Sequence, residues 1–103
     1  MPRVSKSRRV CVNPRSRIFA PQEGKGFIIM TLVELEALRL CDIEGLDQDA
    51  AAARMDVSRG TLQRILYSAR RISATALCES LVILIRGGNY TMVDAQDSEE
   101  SED

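Results

Sequence analysis

From position 58 onward, apolar residues recur at a helical interval: Leu62, Ile65, Leu66, Ala69, Ile72, Ala76 and Leu77. Such a stripe predicts one long amphipathic helix, capped by Ser58 and ending near Ser80. A second helix start lies upstream, where Thr31 and Glu34 have the spacing of a capping box and Met30 with Leu35 fit a hydrophobic staple. It predicts a helix from Leu32 to about Cys41, packing through Leu32, Leu35, Leu38 and, on its flank, Val33. Gly45 ends that segment, and Asp47 is a good N-cap for a short helix beginning at Gln48.

The remaining apolar runs are short. Arg9–Val12 reads as a brief strand stopped by Asn13-Pro14, and residues 13–26, with Pro14, Pro21, Gly24 and Gly26, read as a loop. Phe27–Met30 is apolar and leads directly into the first helix. Leu81–Arg86 (LVILIR) is β-prone and halted by Gly87-Gly88-Asn89. A strand needs hydrogen-bond partners, and the candidates are Arg9–Val12 or the same segment of a second subunit. The segment could also fold back over its own helices. Its continuous apolar character implies burial on both faces and argues for a dimer. Residues 91–103 are poor in apolar groups and strongly acidic, which predicts disorder. The expected architecture is mostly α: a basic arm with a short strand over 1–17, a three-helix helix-turn-helix domain with a C-terminal strand over 18–90, and an acidic tail over 91–103.

The helix-turn-helix expectation rests on Gln48 through Ile65, QDAAAARMDVSRGTLQRI. Ala50–Ala53 provide small residues where two helices must approach closely, Asp56 and Val57 form the corner, and Leu62 and Ile65 face inward. That corner usually requires positive φ, where Gly is cheapest; Asp tolerates it better than most other residues. With Leu62, Ile65 and Leu66 inward, Arg59, Gly60, Gln63, Arg64 and Tyr67 point outward, and Thr61 lies on the edge. Arg forks onto guanine and Gln onto adenine in the major groove, so Arg59, Thr61, Gln63 and Arg64 are the candidate base readers. Ser58, Gly60, Tyr67 and Arg70 are candidate phosphate contacts, helped by the free amides of the helix start. Arg71 meets the backbone or solvent. Amphipathic helix pairs with exposed Arg and Gln are common in all-α proteins, but no acidic residue interrupts Arg59 to Arg71.

Charge distribution sharpens this reading. The 103-residue chain has a net charge of -1, yet six of its 15 acidic residues occupy the last ten positions. Residues 1–93 carry 14 basic against nine acidic groups. The arm is basic, and Arg3, Lys6, Arg8 and Arg9 are expected along phosphates or in the minor groove, with a merely solvated tail as the plainer alternative. The acidic tail could compete for that basic surface or simply aid solubility.

Other chemistry is poorly supplied. Cys11, Cys41 and Cys78 are widely spaced and there is no His, so no zinc site within one subunit is expected. Cys41 and Cys78 are expected as small core residues. There is no Gly-rich phosphate loop and no nucleophile beside a base, so neither an enzyme nor a cofactor is expected. No signal segment is recognised, and Leu81–Ile85 is far too short to span a bilayer. A soluble cytoplasmic protein without membrane contact is the expectation.

Residues 2–90 resemble a small, largely uncharacterised prokaryotic family of predicted DNA-binding proteins. The helix-turn-helix of that family is similar to region four of sigma factors. The resemblance is carried by PR-x-x-x-x-RRVC, TLVELEALRL-x-D-x-EGL, QDAAAARMDVSRGTLQRIL-x-SAR and RGGNY. It implies a transcriptional regulator acting on double-stranded DNA. Members often have Gly where Asp56 stands and Cys where Ser7 stands, so a shared metal or redox role for Cys11 is not implied. Some relatives continue into a domain resembling those that bind iron-molybdenum cofactor; this chain has an acidic tail there, and the link is not carried over. A second expectation keeps the same fold but uses it as a protein-interaction module, a partner of RNA polymerase or of a sigma factor, with no base readout.

Overall fold

The capping signals are realised as read. Thr31 accepts from the Glu34 amide while the Glu34 carboxylate accepts from the Thr31 amide, opening α1 (Leu32–Leu38). Asp47 opens α2 (Gln48–Met55), and Ser58 opens α3 (Arg59–Glu79). The computed structural model describes residues 7–94. The three expected helices are present, accompanied by five short strands: β1 (Arg8–Val10), β2 (Ile18–Phe19), β3 (Phe27–Met30), β4 (Val82–Ile85) and β5 (Tyr90–Met92).

The strands form two small sheets. β4 lies between β2, antiparallel, and β3, parallel, with Leu84 opposite both Ile18 and Ile29. The C-terminal strand therefore finds its partners within the chain, and neither Arg9–Val12 nor a second subunit is needed for its hydrogen bonds. The argument for a dimer from an unpaired strand falls with that observation. Residues 13–26 are not all loop, since Ile18–Phe19 pairs with β4, and Phe27–Met30 is a strand as well as the approach to α1. β1 pairs instead with β5 in parallel, Arg8 opposite Tyr90. The acidic tail was expected to begin at residue 91, but Thr91 and Met92 belong to that ladder; residues 95–103 lie outside the described residues.

Val10, Leu32, Leu40, Met55 and Leu62 are fully buried at the centre, where α1, α2 and α3 meet β1 and the sheet. The first helix departs from expectation at its end. Regular α-helix stops at Leu38 and continues as a wider π-helical turn over Arg39–Ile43, closed by the Glu44 amide on the Arg39 carbonyl at 2.9 Å. The turn keeps Leu40 in the core while Asp42, Ile43 and Glu44 stay outside.

The far end of α3 also differs. Ala76 is its last buried residue, and Leu77, expected as packing, is 82% exposed. Cys78 is exposed rather than a core residue, since it lies two turns on from exposed Arg71 on the outer face of α3.

One buried charge stands out among the described residues. Glu36, 2% exposed, accepts from the Cys11 amide at 2.6 Å and from Arg39 Nε at 2.7 Å. It ties the segment after β1 to α1, which fixes where the basic strand lies.

Candidate nucleic-acid interface

The corner between α2 and α3 is built on Asp56, whose φ of 59° and ψ of 47° lie in the left-handed region. The Asp56 amide donates to the Ala53 carbonyl at 3.2 Å and the Val57 amide to the Ala52 carbonyl at 3.0 Å, closing α2. Ala51 and Ala52 are buried, so the α2 backbone lies close to its neighbours. Ser58 Oγ accepts from the Thr61 amide at 3.2 Å, starting α3 in a new direction.

On α3, Leu62 and Leu66 are buried and Ile65 is half-buried. Arg59, Gly60, Gln63, Arg64 and Tyr67 are exposed on the opposite side, with Ser58 exposed at the start and Thr61 half-buried at the edge. The Gly60 φ is not positive, and a Cβ there would meet only Arg64 Nη1 at 3.9 Å. No backbone strain requires glycine at this position, which leaves its bare backbone as a surface property.

The polar side chains of this face are held rather than loose. Gln63 Nε2 donates to Gln48 Oε1 at 2.8 Å, and Arg59 Nη1 lies 3.6 Å from Asp49. Arg64 Nη2 donates to Thr61 Oγ1 at 3.2 Å. Arg70 makes a two-pronged bond to Asp42 at 2.7 and 3.2 Å. That bond pulls the Asp42 carboxyl below the usual carboxylate range and raises the Arg70 guanidinium. The acid-free span from Arg59 to Arg71 holds along α3 alone; Asp42, Asp49 and Glu34 reach its surroundings from other elements. Sequence reasoning missed these three, since only the packing of α1 and α2 on α3 brings them there.

Arg8 and Arg9 are half-buried in β1; Arg3 and Lys6 lie outside the described residues. Arg8 and Arg64 line one cleft of about 310 Å³ with Thr31, Glu34, Ser68 and Asn89 among its walls. Ser68 Oγ donates to Glu34 Oε2 at 2.5 Å on its floor. The basic strand is thus brought beside the exposed face of α3, a juxtaposition that sequence spacing could not give.

Burial first, and Asp42 second, push the Cys41 thiol up, which keeps it protonated and sluggish. No helix among the described residues is long and apolar enough to cross a membrane.

Comparison with known proteins places the chain in a group without an assigned activity. It is 44% identical over 91 residues to a UPF0251 protein of Ruminiclostridium cellulolyticum, covering 87% of this chain and 72% of that one. It is 48% identical to a UPF0251 protein of Caldicellulosiruptor bescii, covering 87% and 65%, and 45% identical to one of Clostridium botulinum, covering 88% and 60%. The chain thus spans 60 to 72% of the length of these relatives. No solved structure matches it significantly. The family model described as "Protein of unknown function DUF134" matches residues 1–93, and the chain belongs to that family.

Proposed function

We propose that this chain is a sequence-specific DNA-binding protein, a dimeric transcriptional regulator in which α2 and α3 act as a helix-turn-helix. The observation that carries the reading is the exposed, basic and polar face of α3 directly after a left-handed Asp56 corner. A helix of 21 residues starting at a Ser cap offers its first turns to the major groove. Arg59, Thr61, Gln63 and Arg64 read base edges. Ser58, Gly60 and Tyr67 meet phosphates, and Arg8 extends the phosphate contacts from β1. Arg70 joins them when a phosphate displaces Asp42.

Selection of bound sequences from a random duplex pool tests the proposal, followed by titration of the winning site at several salt concentrations. A defined consensus, with affinity falling steeply as salt rises, is the expected result. If no duplex is retained even at low salt, DNA recognition is wrong and a protein partner in the transcription machinery becomes the better reading.

A further inference from the structure

We propose that the cleft between β1 and α3 binds a small organic phosphate, seated between Arg8 and Arg64, and that this ligand withholds both arginines from DNA. Ligand binding stands on the cleft alone; its effect on DNA rests on the proposed reading of α3.

The cleft is built by a motif that the helix-turn-helix does not use, RGGNY over residues 86–90. Gly87 and Gly88 have φ of 80° and 102°, a half of backbone space that glycine enters at least cost. A Cβ on Gly88 would sit 3.1 Å from Thr31 Cβ and 3.3 Å from Val33 Cγ2. The bare backbone therefore lies flat against the start of α1, where the Leu32 amide donates to the Gly87 carbonyl at 3.1 Å. One residue beyond Gly88, the Asn89 carbonyl accepts from the Arg8 amide at 3.2 Å, which sets β1 against the same loop. These contacts hold Arg8 at one wall of the cleft, with Arg64 of α3 at another.

The lining suits an anion with an apolar body. Arg8 and Arg64 are set against a single acid, Glu34. Glu34 is committed to capping α1: its Oε1 accepts from the Thr31 amide at 2.9 Å and the Thr31 hydroxyl at 3.0 Å, and its Oε2 from Ser68. Arg64 is tethered by one neutral hydrogen bond, to Thr61 Oγ1 at 3.2 Å, and makes no ion pair among the described residues. A guanidinium forks onto two phosphate oxygens, and two guanidiniums match the nearly double charge of a phosphate monoester at neutral pH. Buried Val33 and half-buried Ile65 add an apolar stretch of wall, which an inorganic anion alone would leave uncovered. The volume of about 310 Å³ lies at the lower end of small-molecule sites.

Regulation follows from the same two side chains. On the proposed reading Arg64 reads a base edge and Arg8 meets a DNA phosphate. A guanidinium held on the ligand does neither, so ligand and DNA compete.

Titration of the full chain with phenyl phosphate at constant ionic strength, followed by its amide resonances, tests the site without DNA. Saturable shifts are expected at Val33, Ile65, Ser68 and Gly88, with inorganic phosphate weaker at the same amides and phenol silent. Arg8→Gln and Arg64→Gln should each weaken phenyl phosphate about tenfold or more, since charge-assisted bonds are lost. Arg64 is exposed, so its variant keeps the fold, and exposed Arg15, outside the cleft, should be replaceable by Gln without effect. The site is overturned by an absence of saturable shifts, by shifts confined to Ser58–Thr61, by phenol binding as tightly as phenyl phosphate, or by binding undiminished in Arg64→Gln. In a second arm, phenyl phosphate should weaken wild-type binding to the selected duplex. Cleft binding with duplex affinity unchanged overturns the competition. A chain that binds no duplex counts against the reading of α3, and the first arm still decides the cleft.

Discussion

Removing the Glu36 carboxylate should be the most damaging single polar change in this fold. The group is buried and bonded three times: to the Cys11 amide at 2.6 Å, to Arg39 Nε at 2.7 Å and to Arg39 Nη2 at 3.3 Å. Losing one member of a buried ion pair costs about 3–5 kcal/mol, because the other charge is left without compensation. Arg39 keeps a 3.3 Å contact with Glu44 and is 24% exposed, which points to the lower end of that range. The Cys11 amide, left without its acceptor, adds about 1–3 kcal/mol. Glu36→Ala should therefore destabilise by about 4 kcal/mol, a large part of the roughly 5–15 kcal/mol a small domain possesses. At about 4–8 °C per kcal/mol, Tm should fall by roughly 15–30 °C. Glu36→Gln retains an acceptor and the volume but not the charge, and should lose about 1.5–3 kcal/mol. The hydrogen bond to Glu36 is the largest influence raising the Arg39 pKa, so the guanidinium stays cationic at every accessible pH and the penalty will not titrate away. Denaturant titration gives the energies, and amide exchange at Cys11 localises them. A loss under about 1 kcal/mol for Glu36→Ala, with Cys11 exchange unchanged, would refute the claim that this carboxylate anchors the basic strand.

Four further outcomes are expected. Arg64→Ala should relax preference at one base position, costing about 1–3 kcal/mol there, while Arg8→Ala should weaken all duplexes alike; equal losses on every sequence for both would contradict the division of roles. Asp42→Asn should release Arg70, tightening DNA binding and steepening the salt slope by about one phosphate. Because the Asp42 pKa is lowered in the fold, its pair with Arg70 contributes at neutral pH and is lost as pH falls through that lowered value. The contribution is at most about 1 kcal/mol at so exposed a site, read as the acid-limb stability difference between wild type and Asp42→Asn. Gly60→Ala should raise thermal stability by about 0.5–1 kcal/mol yet weaken DNA binding; unchanged affinity would remove close backbone approach at Gly60. Asp56→Gly should be tolerated within about 1 kcal/mol, whereas Asp56→Val should cost more than about 1 kcal/mol by thermal denaturation, since a β-branched residue is poorly placed at positive φ.

What the sequence made legible is local. Ser58, Asp47 and the Thr31–Glu34 box cap their helices because capping depends on residues three apart, and the helical stripe of α3 places Leu62 and Leu66 in the core for the same reason. The positive φ at Asp56 follows from the corner it occupies. Sheet membership was not legible at β2, where two residues carry no periodicity and only the neighbouring β4 defines them as a strand. β4 itself announced a need for partners without naming them, and the supply came from segments 64 and 55 positions earlier, beyond any spacing rule. The π turn was hidden too, because Leu40 and Leu38 fit an α-helical stripe almost equally well. Leu77 fits that stripe as well, but periodicity cannot say where the opposing layer ends.

The same distinction governs the α3 surface. Its composition was readable, but its restraints come from elsewhere in the fold: Gln48 on Gln63, Asp49 on Arg59 and Asp42 on Arg70. Two consequences of these contacts differ in sign. An exposed ion pair contributes at most about 1 kcal/mol, so Asp42 yields readily to a phosphate on Arg70, which makes charge-assisted bonds of the same kind, and Asp49 yields to a guanine edge on Arg59. The Gln48–Gln63 bond is uncharged and need not break. It consumes one donor of the Gln63 amide and leaves the second donor and the carbonyl available, which is the pair adenine requires. The acidic contacts thus reduce affinity by a modest amount, while the neutral one limits which way Gln63 can present its amide. On the proposed reading, affinity is set by displaceable charges and base preference by a side chain already oriented before DNA arrives.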